Sequence, residues 1–210
     1  TTLEGPGTLV KVRAAPLAGA DDWPQAWHGP DNNAASRDTA FEPPASLQWT
    51  GKPYFAPTRL ELPIVAGGRL FMLWNGYEMD SARGVPMLEE SPEGDGPILM
   101  AQAVGSGARL WMRRLSPACW VQVSRSILIA DGEQLLVADG NRILELSAAT
   151  GRVLRQPQLD TPEIKWMALH RGRVFVLGGS VTKSFGHRSA EAVVPFRSSG
   201  LHLIALDRQS

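Results

Sequence analysis

The stretch DGEQLLVADGNRILELSAATGRVLR, from Asp131 to Arg155, reads as three short strands joined by two tight turns. Asp139-Gly140-Asn141 is typical of a two-residue hairpin, because Gly and Asn tolerate a positive φ. Ala149-Thr150-Gly151 forms the second turn. The stretch therefore predicts an antiparallel meander. Such a meander needs neighbouring strands, since three strands of this length bury little apolar surface by themselves.

The same pattern recurs on both sides of this stretch. Glycines that precede an apolar run align in one register, and they are Gly68, Gly132 and Gly172. Hydroxyl residues that follow a later strand align in a second register, and they are Ser106, Thr150 and Ser210. A repeat of about 40–60 residues with four short strands per unit indicates a β-propeller. The sequence predicts an all-β fold, a partial β-propeller of about three four-stranded antiparallel blades plus an N-terminal strand or clasp segment.

The predicted blades span residues 61–115, 121–156 and 163–210, and the last is incomplete. They belong to a propeller portion at 20–210. Residues 1–19 are expected to end an upstream domain or to form a linker strand, with an outer strand of the same sheet as the alternative. After Ser210 the pattern predicts a Gly and a fourth strand, so we expect a longer chain to supply the rest of the propeller.

The alignment of the repeats also predicts the positions of individual strands. The inner strands are predicted at 61–65, 121–130 and 163–170, because an inner strand precedes each aligned glycine. Trp111 is predicted in the outer strand at 108–114 and packed on the turn at Gly107. Trp49 ends a similar segment, 47–49, which is expected to form an outermost strand.

These residues resemble the repeat of pyrroloquinoline-quinone-like (PQQ-like) propellers, with the pattern Leu-x-Ala-Leu-Asp-x-x-Thr-Gly-x-x-x-Trp. The segment 203–207 matches its first half. The segment 148–154 matches its second half, and Arg155 stands at the position of the Trp. Gly107 and Trp111 keep the spacing of the Gly and the Trp. The resemblance covers roughly residues 21–210 and implies a bacterial propeller.

The resemblance implies a non-catalytic binding or scaffold module in a bacterial envelope or multidomain protein. Its partner would be a protein or a carbohydrate-like ligand, and no cofactor is expected. The resemblance extends to the propeller lipoprotein of outer-membrane barrel assembly, which implies a periplasmic or cell-envelope location. One alternative is part of a quinoprotein dehydrogenase with PQQ and calcium. The sequence lacks the adjacent cysteines and a matching Asp base of those enzymes, so that alternative rests on fold analogy. Another is an accessory propeller fused to an upstream enzyme domain.

The amino-acid composition argues against several other classes of protein. The 21 Lys and Arg residues balance 21 Asp and Glu residues, which argues against a nucleic-acid partner because such proteins carry a basic face. No apolar run is long enough for a membrane span, and no signal peptide is visible. The single cysteine, Cys119, excludes an internal disulfide and is expected to be a small buried thiol.

The stretch DDWPQAWHGPDNNAAS, residues 21–36, contains most of the candidate site residues. It resembles a segment of bacterial PQQ-like propellers that places a Trp-containing turn before an Asn-rich loop. Four of its residues are candidates to face a ligand, namely Trp27, His28, Asn32 and Asn33; a structural clasp is the alternative. Trp23 and Trp27 are expected to pack against the propeller, since large aromatic rings gain from burial. Trp166, on an inner strand, either faces a ligand or packs between blades. No catalytic or metal-binding residue is predicted, because the four histidines share no ligand spacing.

Overall fold

The structure is a computed structural model. It describes residues 2–3, 9–10, 15, 17–40, 49, 63–74, 79–80, 85–86, 93–119, 126–180 and 199–208. These residues form strands and turns and contain no helix. Accordingly, none of them forms a helix long and apolar enough to cross a membrane. The fold is therefore all-β, as the sequence predicts.

Near the N-terminus, β1 (Thr2–Leu3) pairs antiparallel with β2 (Leu9–Val10) in a separate two-stranded ribbon. Of residues 1–19, the structure describes these two strands together with residues 15 and 17–19. Among the strands that the structure describes, this ribbon is a sheet separate from the three larger ones. The expectation that residues 1–19 belong to an upstream domain stays a prediction.

Blade one is an antiparallel sheet in the order β3-β4-β7-β8. Its strands are β3 (Ile64–Ala66) and β4 (Arg69–Trp74), then, after the small ribbon of β5 (Met79–Asp80) and β6 (Val85–Pro86), β7 (Ile98–Ala103) and β8 (Arg109–Arg114). The inner strand begins at Ile64, and residues 61–62 lie outside the described residues.

Blade two is the meander of the opening stretch with an inner strand added. It contains β9 (Leu128–Asp131), β10 (Gln134–Asp139), β11 (Arg142–Ser147) and β12 (Val153–Arg155), in that order across the sheet. Of the predicted inner strand, residues 121–125 lie outside the described residues. The hairpin turn predicted at Gly140 is present, with φ of 66° at this glycine.

Blade three contains β13 (Glu163–His170), β14 (Arg173–Gly179) and β15 (His202–Asp207). Within the described residues this sheet has three strands in sequential order. The inner strand has the predicted bounds, 163–170. The fourth strand expected after Ser210 stays a prediction.

The predicted alignment of the first turn is one residue out in blade two. The pairs Ala66↔Arg69 and Asp131↔Gln134 each enclose a two-residue turn. The second turn residue is Gly68 in blade one but Glu133 in blade two, so Glu133, rather than Gly132, takes the position of Gly68. Gly172 takes that position in blade three, as predicted. The register of the later strands, through Ser106 and Thr150, is confirmed.

One hydrophobic core runs through all three sheets. It joins Phe71 of blade one, Leu136 of blade two and Val176 of blade three with their neighbours. Blade two lies between the other two, because β9 contacts both β3 and β13. Residues 135–138 of β10 are buried on both faces for this reason. The three sheets pack on one shared core, which is consistent with partial propeller blades.

Trp111 lies in the outer strand as predicted, but it packs on the next blade. Its Nε1 donates to the carbonyl oxygen of Ala148 at 2.9 Å. Its ring covers Gly151, where a Cβ would lie 2.6 Å from the Trp111 ring. Trp49 takes the predicted place on Gly107 instead, and its Nε1 donates to the oxygen of Val104 at 2.6 Å. The assignment of Trp111 to the Gly107 turn is therefore wrong, and the contact joins two blades.

Residues 17–40, here called the clasp segment, cross the ends of the three inner strands. Trp23 bridges Val65 of β3, with N–H···O distances of 2.7 and 2.8 Å. The oxygen of Pro24 accepts from Ala130 N of β9 at 2.7 Å. The side-chain oxygen of Gln25 accepts from Leu169 N of β13 at 2.9 Å. Successive residues of one segment thus contact each blade, which agrees with the clasp interpretation.

Candidate functional site

The clasp segment is organised around the carboxylate of Asp21. Its Oδ2 accepts from Arg37 N at 2.6 Å and lies 2.7 Å from His28 Nε2. Because a carboxylate only accepts, Nε2 of His28 carries the proton in this pair. Ser36 Oγ donates to the same oxygen at 3.4 Å. Asp21 therefore joins both ends of the loop that follows Trp23.

The hydrogen bond from Arg37 N, together with the bond from His28, holds the pKa of Asp21 below its usual value, although partial burial acts in the opposite direction. Hydrogen bonds to the charged form of a carboxyl favour that form. The ring of Trp23 contacts His28 edge to face, with centroids 5.1 Å apart. His28 is buried by these neighbours, with 8% of its surface exposed.

The loop after Gln25 has an unusual backbone. Trp27, His28 and Asn32 have φ of 59°, 70° and 54°, in the left-handed region that non-glycine residues rarely adopt. The bends are closed by His28 N donating to Gln25 O at 3.1 Å and Asn32 N donating to Gly29 O at 3.1 Å. The fixed loop places His28 and Asp31 beside the end of β13.

A polar cleft of about 440 Å³ lies between this loop and blade three. Its polar lining comes from both sides, with Asp21, Asp22, His28, Asp31 and Arg37 on the clasp segment and His170 on β13. Three carboxylates face one guanidinium and two imidazoles. Such a lining can both donate to and accept from hydroxyl or amide groups.

An apolar groove of about 430 Å³ adjoins the cleft on the open face of blade three. Its floor is formed by side chains of all three strands, namely Trp166, Ala168, Phe175 and Leu203. Pro30, Asp31 and His170 line both the cleft and the groove. Leu203 keeps 64% of its surface exposed. The two depressions therefore form one surface with a polar and an apolar part.

The structure separates the predicted ligand-facing residues. His28 lines the cleft, and Trp166 lines the groove. Trp27, Asn32 and Asn33 line neither depression. Trp27 keeps 40% of its surface exposed, so the packing expected of Trp23 and Trp27 is found for Trp23 alone. Ligand binding by any of them stays a prediction.

Five charged or imidazole residues of the cleft were not predicted from the sequence as ligand-facing: Asp21, Asp22, Asp31, Arg37 and His170. Asp31 lies in a turn-rich stretch, where its Oδ1 accepts from Asn33 N at 3.3 Å. His170 is distant in sequence from the others, so only the fold brings it to the cleft.

The described residues do not fit the PQQ and calcium site of the quinoprotein dehydrogenases. They contain no group of three or more His, Cys, Asp or Glu side chains arranged to hold a metal ion. Cys119 is a single thiol and is buried, with 1% of its surface exposed, as expected. The donor set that calcium requires is oxygen-rich and convergent, and the cleft carboxylates do not converge in this way.

Comparison with known proteins gives little beyond this geometry. No protein-family model and no curated protein matches the sequence. Solved structures do match, among them the crystal structure of BamB from Moraxella catarrhalis, with a TM-score of 0.33 and 16% identity. The match covers 56% of this chain and 43% of that chain, so this chain spans less than half of the BamB length.

Proposed function

We propose that this chain is a non-catalytic propeller module that holds a binding partner at the clasp side of blade three. The observation that supports this function is the single surface in which the polar cleft and the apolar groove share Pro30, Asp31 and His170. Depressions with an apolar floor and a few convergent polar groups are the usual form of binding sites. A scaffold role follows from the shared core, which fixes the groove relative to the loop.

A protein partner suits the apolar groove, because exposed apolar surface rimmed by polar residues marks protein interaction sites. A carbohydrate-like ligand suits the aromatic floor at Trp166 and Phe175, with Asp31 and His170 available for hydroxyl groups. The periplasmic or cell-envelope setting rests on the repeat resemblance alone. A signal peptide or lipobox in the gene upstream of Thr1 would support it, whereas an upstream catalytic domain would support the accessory-propeller alternative.

The ligand class can be tested by titrating the full chain with neutral and acidic soluble oligosaccharides while following tryptophan fluorescence and heat. Saturable binding that Trp166→Ala removes and Trp27→Ala preserves identifies a carbohydrate site. The control is matched, because Trp27 is an exposed tryptophan outside both depressions. Absence of oligosaccharide binding favours the protein partner.

The non-catalytic part of the proposal has its own test. The full chain is mixed with PQQ and Ca²⁺, and dye-linked oxidation of primary alcohols is measured. We expect no oxidation above the protein-free control. Alcohol-dependent dye reduction that requires the protein would overturn the proposal and support a dehydrogenase.

A further inference from the structure

Blade three repeats, at four positions of β14 and β15, the face through which blade one packs on blade two. The blade-one residues on this face pair across β4 and β7, as Phe71↔Ala101 and Leu73↔Leu99. The blade-three pairs in β14 and β15 are Phe175↔Ala205 and Leu177↔Leu203. The four residue types and their pairing are identical. The side chains therefore occupy the same places on both sheets, because directly paired residues share a face.

The burial of the two sets is opposite. Phe71, Leu73, Leu99 and Ala101 are each 0% exposed. In blade three, Phe175 and Leu177 are half-buried, Ala205 is exposed, and Leu203 is 64% exposed. The four apolar residues that are fully buried in blade one thus have partly or largely exposed counterparts in blade three.

Blade two shows what covers this type of face. Its side toward blade one carries aliphatic residues, all buried, namely Leu128, Ala130, Leu135, Val137, Leu144 and Leu146. This side is identified by Arg208 of blade three, which contacts Asp131 and Gln134 on the opposite side of blade two. The cover of a Phe-Leu-Leu-Ala face is therefore a β-sheet with an aliphatic surface.

A charge pair specifies the register of the same contact. Arg69 begins β4, and its guanidinium lies 3.1 Å from the carboxylate of Glu133 in the first turn of blade two. Arg173 begins β14 at the same position of the pattern and is exposed. A sheet that covers blade three as blade two covers blade one would place an acidic first turn beside Arg173.

Resting on the proposed binding function, we propose that the partner at the apolar groove is a further β-sheet of the propeller-blade type. It presents an aliphatic face like that of blade two and an acidic residue in its first turn, which pairs with Arg173. Trp166 and Ala168 of β13 then lie between blades. The cleft at His28 and Asp31 stays at the rim of this contact.

The test extends the full chain with a second copy of residues 107–155 after Ser210. Ser210 follows Asp207 by the same spacing as Ser106 follows Ala103, so the copy continues blade three in register. It supplies an outer strand with Trp111 and then a blade-two sheet. We expect exchange of β14 and β15 amides to slow by about tenfold. A copy with shuffled residues at the same length should leave this exchange unchanged.

Two charge variants test the register. Glu133→Arg in the appended copy should reverse part of the amide protection, and Arg173→Glu combined with it should restore that protection. Equal protection in all three proteins would overturn the acidic-turn part of the proposal. Exchange of β14 and β15 amides that stays at the parent level in the extended chain would overturn the blade partner itself.

The parent chain provides a test that does not depend on folding of the extension. Leu203→Arg should leave the melting temperature as unaffected as Leu17→Arg, a control at a residue that is 68% exposed. A much larger decrease in melting temperature for Leu203→Arg would show that the face is already covered, and would overturn the proposal. If the parent chain is a dimer that Leu203→Arg dissociates, the occupant is a second copy of the chain, and the proposal is overturned as well. None of these results depends on oligosaccharide binding or alcohol oxidation, so failure here is distinct from failure of the proposed function.

Discussion

At the residue scale, the contact between Trp111 and the Gly151 turn joins blades one and two. Trp111 combines a hydrogen bond to Ala148 O at 2.9 Å with ring contact to Phe71, whose centroid lies 6.1 Å away. Since the ring is partly exposed, Trp111→Ala should cost about 3 kcal/mol, the low end for a core aromatic residue. Urea denaturation measures this cost. Trp27→Ala should stay within about 0.5 kcal/mol, as expected of a surface residue. Equal costs would contradict the inter-blade contact.

The same contact predicts an interaction between two substitutions. Gly151 has φ of 69°, and an added Cβ would lie 2.6 Å from the ring of Trp111. Gly151→Ala should therefore cost more than Gly132→Ala, where φ is 58° and no atom lies within 4 Å of the added Cβ. The control should show only the left-handed backbone cost, about 1–2 kcal/mol.

Removing the ring should remove the clash. In the double variant Trp111→Ala/Gly151→Ala, the Gly151→Ala step should fall to the cost of the control, so the two changes are non-additive. Free energies of unfolding for the four proteins of the cycle measure this directly. Additive costs would mean that the ring does not cover Gly151 in solution.

Asp21 predicts a pH dependence of the clasp segment. Its pKa is lowered in the folded state by the hydrogen bond from Arg37 N and the pair with His28. A carboxyl with a depressed pKa contributes stability that is present above its unfolded pKa, 3.8, and is lost as the pH falls through the folded pKa. Asp21→Asn should therefore be less stable than wild type at pH 6, and the gap should close below pH 3.8.

Unfolding midpoints of both proteins between pH 6 and pH 3 check this expectation. Asp160→Asn is a suitable control, because Asp160 is exposed and lies outside the clasp segment. It should match wild type at pH 6. If the difference in unfolding midpoint between Asp21→Asn and wild type stays constant down to pH 3, the carboxylate does not organise the loop.

At the scale of single elements, β13 contains a buried ion pair at an irregularity. The pairing with β14 shifts between Ile164 and Trp166, so Lys165 is the additional residue of a bulge. Lys165 is 0% exposed, and its Nζ lies 2.7 Å from Glu163 Oε2. Lys165→Met should cost about 3–5 kcal/mol, because it leaves a buried carboxylate without this cation.

The double variant Glu163→Gln/Lys165→Met should recover part of that loss, since it removes both charges of this pair. Chemical denaturation of the three proteins measures both effects. A double variant as unstable as Lys165→Met alone would show that the loss comes from packing of the lysine stem and not from charge.

The strands were largely predictable from the sequence because apolar runs and Gly-containing turns alternate regularly. β13 has its predicted bounds. The one-residue error in blade two has a physical reason: residues 135–138 are apolar and buried on both faces, so no polar side reveals the register. The blade that accepts Trp111 was not predictable, because the indole contacts a turn in a different sheet.

The candidate site was predictable only where neighbouring residues build it. His28 was found because it follows Trp23 in a turn-rich stretch. His170 and Leu203 were not, because strands from opposite ends of the chain bring them together, and local pattern carries no signal for such contacts. The positive φ values at Trp27 and His28 were equally hidden, since the loop is closed by contacts between residues as distant as Asp21 and Arg37.

At the scale of the whole molecule, the shared core makes blade two the common support of the other two sheets. Backbone bonds continue this support beyond the apolar contacts: Ile164 N donates to Gly140 O at 2.8 Å, and Met167 N donates to Ser126 O at 2.7 Å. A change in blade two should therefore affect both of its neighbours. The clasp segment adds a second connection that is independent of this core.

Gln25 is the point at which that second connection can be broken selectively. It is 3% exposed, bridges Ile129 of β9, and accepts from Leu169 N of β13 through its side-chain oxygen at 2.9 Å. Gln25→Met keeps most of the side-chain length and removes the acceptor. The backbone donor of Leu169 is then left without this partner, which costs about 1–3 kcal/mol.

The strands that Gln25→Met destabilises are more informative than its total free-energy cost. Hydrogen exchange should accelerate at Leu169 and along β13, while the amides of β4 and β7 in blade one keep their rates, because Trp23 still pairs with Val65. Asn33→Ala, at an exposed residue of the same segment, is the matched control and should change neither. Uniform acceleration across all blades would instead indicate that Gln25 contributes to global stability, and the clasp segment would then have no separate role in holding blade three and the groove in place.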